Sequence, residues 1–337
     1  MTTPTARISL DGRDITTRLI DKDYKKPLVS ITVTDEAGIK SDRCELTIDL
    51  REPFAPPKPG SEFTVWMGYE PEPALMGRFR VDSWSKNGPP NTLTVSAGSA
   101  ELTTAIKETR HRYYHQKTVS SIVQEVAGRH DLGTAIDGEI GGHYVEHIDQ
   151  TGESDMGFLT RLAKRHGATF KVANGTIIFA KKGSTTLPSG IGKPAITVRP
   201  VDVASWTVNA GERGAHELVI CYWHDHDTGR RRAARAGKAD KGGKAHRDKR
   251  LYATQAEAEA AARAQLGELT RGQKTGQIEC VGNPAFFAEG VVVLDGFDPD
   301  ADGQFYAKTV THNFSASGYT TSVSLETTKS DPDGEGD

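Results

Sequence analysis

GRFRVDSWSKNGPPNTLTVSAG at residues 77–98 and GQFYAKTVTHNFSASGYTTSVSLE at residues 303–326 carry one pattern. Each opens on a glycine and runs through a strand that ends in an aromatic residue, Trp84 or Phe314. Each then turns and returns as an alternating strand, Leu93–Ala97 or Thr321–Leu325. A glycine and an apolar strand precede both, in PGSEFTVWMGY (59–69) and AEGVVVLDGF (288–297). Two such meanders predict two related small antiparallel β-barrels, one at each end of the chain. Three copies of the chain would place six near-equivalent faces on one ring.

Working outward from the first meander, Leu28–Thr34 and Cys44–Leu50 alternate, which puts Cys44, Leu46, Ile48 and Leu50 on one face. Ala6–Leu10 is a further strand, with Asp11-Gly12 as a turn. Around the second meander, Trp206–Val208, Glu217–Trp223 and Thr275–Val281 read as strands.

The middle changes period. Thr118 is a helix N-cap, followed by Val119, Ile122, Val123, Val126 and Ala127 at helical spacing. Ser154-Asp155 caps a second helix, with Phe158, Leu159, Leu162 and Ala163 on its buried face and Gly167 closing it. Asn174-Gly175 between Ala168–Val172 and Thr176–Ala180 marks a hairpin. Thr254 to Glu257 forms a capping box opening an Ala-rich helix, which Gly272 ends.

The expected fold class is therefore α+β, mainly β: two β-barrels with an inserted α+β domain. The first barrel takes 1–100, and the middle domain, two helices and a hairpin, takes 101–200. The second barrel takes 201–329, with a basic loop over 229–250 and a helix over 254–271. The acidic tail, 330–337, lacks apolar residues and is expected to be disordered.

The 337 residues carry 42 Lys plus Arg against 45 Asp plus Glu, a net charge of −3 that argues against wholesale nucleic-acid binding. No apolar run approaches the roughly 20 residues of a spanning helix. The N-terminus has no apolar core of the kind a secretory signal needs. Cys44, Cys221 and Cys280 are few, far apart and odd in number, which fits a reducing cytoplasm.

The sharpest electrostatic feature is the insert from Gly229 to Arg250. It holds Arg230, Arg231, Arg232, Arg235, Lys238, Lys241, Lys244, Arg247, Lys249 and Arg250 against two Asp, a local +8 that leaves −11 for the rest. These ten side chains are the candidate contact loop for phosphates or an acidic protein face. The alternative is a solvated connector. No aromatic interrupts the insert, which argues against stacking on single strands.

Other motifs weigh less. Asp298-Pro299-Asp300-Ala301-Asp302-Gly303 begins like a calcium loop, but its twelfth position is Thr309 and strands flank it, so a hairpin turn is expected. His111/His115 and His143/His147 have i,i+4 spacing, but their interiors, Arg-Tyr-Tyr and Tyr-Val-Glu, lack the H-E-x-x-H order of a zinc protease. His224-Asp225-His226-Asp227 reads as a polar turn. No nucleophile elbow, P-loop or dinucleotide fingerprint occurs, so no catalytic residue, cofactor or metal is expected.

Two stretches are similar to the phage late control protein D family. One is His115-Gln116-Lys117-Thr118 with the helix to His130-Asp131-Leu132-Gly133. The other is Gln150-Thr151-Gly152-Glu153-Ser154-Asp155-Met156-Gly157-Phe158-Leu159-Thr160-Arg161-Leu162-Ala163, which resembles the family's Q-x-x-E-S-D-x-x-F-L-x-R-L-A pattern. Gly167, Phe170 and Gly175-Thr176-Ile177-Ile178-Phe179 follow, with Ile178 where the family has Leu. Ile31–Gly38 and the closing His312-Asn313-Phe314 with Gly318-Tyr319-Thr320-Thr321 extend the resemblance over nearly the whole chain. The basic insert has no counterpart in it.

The resemblance implies a baseplate hub of a phage tail or phage-tail-like particle, assembled in the host cytoplasm. It implies a homotrimer whose two tube-like barrels per subunit form a pseudo-sixfold ring joining the tail tube to a separate trimeric spike protein. Further implied partners are a tube or tube-initiator protein, the tape-measure protein and other baseplate proteins. DNA would be met only in transit, and no stable membrane insertion is implied. The competing readings are a monomeric glycan-binding surface module and, behind it, a cell-wall hydrolase.

Overall fold

The computed structural model describes residues 3–20, 27–38, 42–100, 104–173, 175–211, 216–226, 228–238, 244–271 and 274–328. The expected tail, Gly272, Asn174, Asp227 and Lys241 lie outside the described residues. The chain forms two units from interleaved stretches. Unit 1 takes residues 1–101, 195–207 and 276–325; unit 2 takes 102–194, 208–275 and 326–337.

The first stretch of unit 1 holds β1 (Pro4–Leu10), β2 (Arg13–Asp14), the short α1 (Thr16–Leu19), β3 (Leu28–Glu36), β4 (Arg43–Asp49), β5 (Glu62–Tyr69), β6 (Ala74–Asn87) and β7 (Thr92–Ser99). Unit 2 then begins with β8 (Thr109–Thr118), α2 (Val119–Gly128), β9 (Gly133–Ile136), α3 (Gly138–Gly141), β10 (Tyr144–Ser154), α4 (Asp155–Arg165), β11 (Ala168–Ala173) and β12 (Thr176–Lys181). β13 (Ala195–Val198) and β14 (Val203–Ala210) return to the sheet of unit 1. β15 (His216–Asp225), β16 (Arg230–Gly237), β17 (Lys244–Tyr252) and α5 (Gln255–Arg271) belong to unit 2. β18 (Lys274–Val281), β19 (Val291–Leu294), β20 (Gly303–Ser315) and β21 (Gly318–Thr327) complete unit 1.

Alternation builds the sheet of unit 1. In β4, Cys44, Leu46 and Ile48 are buried while Arg43 and Glu45 are exposed. The same face of β1, β3, β5, β6 and β7 supplies Ile8, Ile31, Val33, Phe63, Val65, Phe79, Val81, Leu93 and Val95 to one core. A sheet whose strands all turn one face to a single core has curled on itself, the barrel-like form expected from the sequence.

The duplication is explicit in the strand order. The first half runs β3-β4-β7-β6-β5-β1 and the second runs β14-β18-β21-β20-β19-β13. Each strand of one half has a counterpart of the same rank in chain order in the other. One pair differs in sense: β13 is parallel to β19 where β1 is antiparallel to β5. The halves join where β20 pairs antiparallel with β3.

In unit 2, the expected caps form. Thr118 accepts from Ser121 N–H and Ser154 from Gly157 N–H. Gly167, at φ +66°, follows α4, and a Cβ there would sit 3.0 Å from that of Ala264 on α5. Only glycine meets both demands. The box at α5 is half made: Thr254 Oγ1 accepts from Glu257 N–H at 3.2 Å. The Glu257 carboxylate, which would reach back to Thr254, takes Arg165 Nη2 at 2.6 Å instead.

The segment read as a basic loop is sheet. β16 pairs antiparallel with β15, from Leu218 opposite Gly237 to Asp225 opposite Arg230, and β17 lies parallel on the other side of β15. Ala234 and Ala236 alternate inward against Ala258, Ala261 and Ala262 of α5, small residues that let helix and sheet approach closely. The dense positive charge hides this alternation in the sequence. The stretch from β15 to α5 therefore belongs to unit 2, where the sequence suggested one continuous barrel over 201–329.

Candidate functional site

The most connected polar cluster grows from the Gln150–Ala163 signature. Ser154 caps α4, which places Asp155 in its first turn, fully buried. Arg129 Nη2 donates to Asp155 Oδ1 at 2.8 Å, Gln150 Nε2 to the same oxygen at 2.9 Å, and His130 Nε2 contacts Oδ2 at 2.8 Å. Arg110 Nε stands 3.5 Å from Oδ2. Burial alone would raise the Asp155 pKa, but the hydrogen bonds from Arg129, Gln150 and His130 outweigh it and hold the carboxyl below its ordinary value. An ionised carboxylate accepts only, so the His130 Nε2 carries the proton it shares.

The remaining signature residues tie this cluster into the fold. Gln150 also donates to Glu153 O at 2.9 Å, and Arg161 joins Glu153 Oε2 at 2.8 Å and Asp149 O at 2.6 Å. Phe158, Leu159, Leu162 and Ala163 are buried, with Phe158 stacked on Tyr114 at 5.0 Å between ring centroids. The pattern therefore reads as a device for locking α4 onto β10 and α2. The sequence named Asp155 as part of a cap and missed its Arg129, Gln150 and His130 partners. Apolar helical spacing carries no sign of them.

The histidine pairs take other forms than i,i+4 on a helix. His111 and His115 lie on β8, and His115 faces His147 across the strand pair. His143 meets His166 instead, Nδ1 to Nδ1 at 3.1 Å, so one ring donates and the other accepts. Burial, then the neighbouring His143 and Arg165, depress the His166 pKa to about 3. The rings of His224, on β15, and His226, just beyond it, sit 5.1 Å apart. Among the described residues, no group of three His, Cys, Asp or Glu side chains is placed to hold a metal ion.

The Asp298 stretch is a hairpin turn between β19 and β20. Its carboxylates accept backbone N–H groups: Asp302 from Gly296 and Phe297, Asp298 from Asp300. Cys44, Cys221 and Cys280 are free and buried.

The candidate basic residues are gathered on one small sheet. Arg230, Arg231, Arg232 and Arg235 stand on β16, Lys238 just beyond it, and Lys244, Arg247, Lys249 and Arg250 on β17. All nine are exposed. Arg232 pairs with Asp225 at 2.6 Å and Arg231 lies 3.5 Å over the Tyr222 ring. Asp248 breaks the charge from within β17. Its burial is outweighed by bonds from Arg250 N–H, Gln265 and Tyr252, and its pKa is lowered.

Two sheet edges of unit 1 complete the set of surfaces. β6 is exposed at every position from Asp82 to Asn87, and β14 is half-buried only at Val203 and Val208. Trp84 and Trp206, 43% and 41% exposed, stand on these edges.

Residues 92–318 match the family model described as phage tail baseplate hub (GPD). The probable baseplate hub proteins of Escherichia phages 186 and P2 are each 30% identical over 370 residues, covering 97% and 98% of this chain and 94% of theirs. In fold, the chain is similar to the 43 kDa tail protein of prophage MuSo2 from Shewanella oneidensis, with a TM-score of 0.70 at 13% identity. That likeness covers 96% of this chain and 98% of the other.

Proposed function

The chain belongs to the phage tail baseplate hub family, a structural family of the virion tail, and on that premise we propose that it works as a homotrimeric symmetry adaptor. Three copies, each with two six-stranded halves, give a ring of six near-equivalent sheets. Such a ring meets a sixfold tail tube, or its initiator protein, on one side and a trimeric spike protein on the other. The observation that carries this reading is the shared strand order of the two halves. A single barrel per chain would offer only threefold repetition.

In this reading the work done is assembly and force transmission. The lumen passes the tape-measure protein and DNA once the spike leaves, other baseplate proteins bind outside, and the ring is built in the host cytoplasm before joining the tail. The basic face of β16 and β17 supplies an electrostatic contact to an acidic neighbour.

Light scattering on the purified chain, alone and with its spike protein, tests the reading. A trimer in either sample supports it. A monomer in both, together with a monomer in cross-linked particles, overturns it in favour of a ligand-binding module.

A further inference from the structure

The internal duplication identifies the edges that would close such a ring, an inference that rests on the trimeric reading. Inside one chain the halves meet through one strand pair. Thr309–Ser315 of β20 lies antiparallel to Ser30–Glu36 of β3, with Asn313 opposite Thr32 and Phe314 opposite Ile31, both of the last pair buried. By strand order, β20 corresponds to β6 and β3 to β14. The matching junction, β6 with β14, is not made among the described residues of the chain. β14 ends the sheet beside β18, and on the β5 side of β6 the bonding ends with Gly60 and Ser61 at Val81, leaving β7 as its neighbour beyond.

Backbone bonds fix the equivalence residue by residue. Gly60 N–H donates to Val81 O and Val81 N–H to Ser61 O, both at 2.9 Å. Glu289 N–H donates to Ala307 O at 2.8 Å and Ala307 N–H to Gly290 O at 2.9 Å. Val81 and Ala307 thus hold the same place, and Ser83, Ser85 and Asn87 correspond to Thr309, Thr311 and Asn313. On the other strand, Ser30-Ile31-Thr32-Val33 aligns with Ser205-Trp206-Thr207-Val208. Carrying the observed register across puts Asn87 opposite Thr207 and Ser85 opposite Asn209.

Exposure agrees with this. Trp84 stands opposite buried Val95 and so lies on the core side of the pleat, yet it is 43% exposed. Trp206 holds the place of Ile31, which is fully buried, and is 41% exposed. Two of the chain's four tryptophans therefore face solvent on two unpaired strand edges. An edge of this kind is a template for pairing with another chain.

We infer that Trp84–Asn87 of one copy pairs antiparallel with Thr207–Ala210 of the next. Each copy offers one edge of each kind, so the contact is head-to-tail, and a head-to-tail contact makes a ring when its rotation closes. Around that ring every junction is the same junction, alternately within and between chains.

Paired cysteines in the full-length chain, assembled with its spike protein, test the assignment. Asn87→Cys with Thr207→Cys is one in-register pair and Ser85→Cys with Asn209→Cys is a second, independent one. Oxidation is expected to give covalent trimers on a denaturing gel with either pair. The out-of-register pair Ser83→Cys with Thr207→Cys should yield about tenfold less, since its Cα atoms lie beyond disulfide reach. The native Cys44, Cys221 and Cys280 are buried and add no background. A trimer by light scattering that cross-links through neither in-register pair overturns the edge assignment and leaves the adaptor reading in place. A chain that stays monomeric with the spike and in particles overturns both.

Discussion

Units 1 and 2 are held together by different means. Of the eight buried polar or charged residues among those described, six lie in unit 2 (Gln150, Asp155, His166, Thr169, Asp225 and Glu257) and two, His312 and Thr321, in unit 1. Unit 1 is therefore specified mostly by which face of a strand is apolar, and that pattern repeats. Unit 2 depends on individual donors meeting individual acceptors. The comparison teaches that a patterned sheet tolerates many sequences, while a buried carboxylate tolerates few, because removing one partner leaves the other uncompensated.

The largest test sets one substitution in each unit side by side. Asp155→Ala strands Arg129 and His130 and should cost unit 2 about 3–5 kcal/mol. Phe79→Ala opens a cavity in unit 1 and should cost about 3–5 kcal/mol there. Trp223 lies in unit 2, while Trp66, Trp84 and Trp206 lie in unit 1, so fluorescence of single-tryptophan variants separates the two transitions. Each substitution should move its own unit's transition; both moving together by equal amounts would erase the contrast.

A medium effect comes from pH. His166 is held near pKa 3 in the fold, against about 6.5 in the unfolded chain. The unfolded chain therefore binds the proton first, and unit 2 should lose about 1.4 kcal/mol per unit as pH falls from 6.5 towards 3. His312 in unit 1 is lowered too, by burial that a bond to Phe286 O partly offsets, so unit 1 should respond in the same direction. His166→Gln should flatten the Trp223-monitored slope between pH 6.5 and 4.5 and leave the unit 1 slope unchanged. An unchanged Trp223 slope would remove His166 as its source.

The smallest effect on stability falls at the basic face. Charge reversal at Arg230, Arg231 and Arg235 together should shift the unfolding midpoint of unit 2 by no more than about 0.5 kcal/mol, since these side chains are exposed. The same variant should incorporate poorly into particles. Normal incorporation would reduce the nine exposed cations to solvation.

The legibility of the sequence follows the same division. β5, Glu62–Tyr69, falls inside the stretch 59–69 read as an apolar strand, because its alternation is clean and Gly and Pro bound it. The caps at Thr118 and Ser154 were readable because a hydroxyl beside an apolar helical stripe has one common use. β8 was missed because Tyr114 is its one buried side chain and the rest is polar on both faces. β16 and β17 were missed because arginine and lysine mask the inward alanines. The Asp155 network was invisible because its partners arrive from β8, α2 and β10, and spacing along a chain does not encode meeting in space. The duplicated pattern was visible in the sequence, while the two free edges needed the pairing itself.

The junction of β20 with β3 also sets an order of events during synthesis. Glu36 pairs with Thr309, so β3 leaves the ribosome long before its partner exists. At about 5–20 residues per second the wait is on the order of 15–55 s. Over that interval a nascent chain carries the β3 edge open, and the β20 of a neighbour whose own junction has not yet closed fits it as well as its own will. Polysomes crowded with this message should thus favour exchanged pairs, and slow initiation should favour self-contained ones.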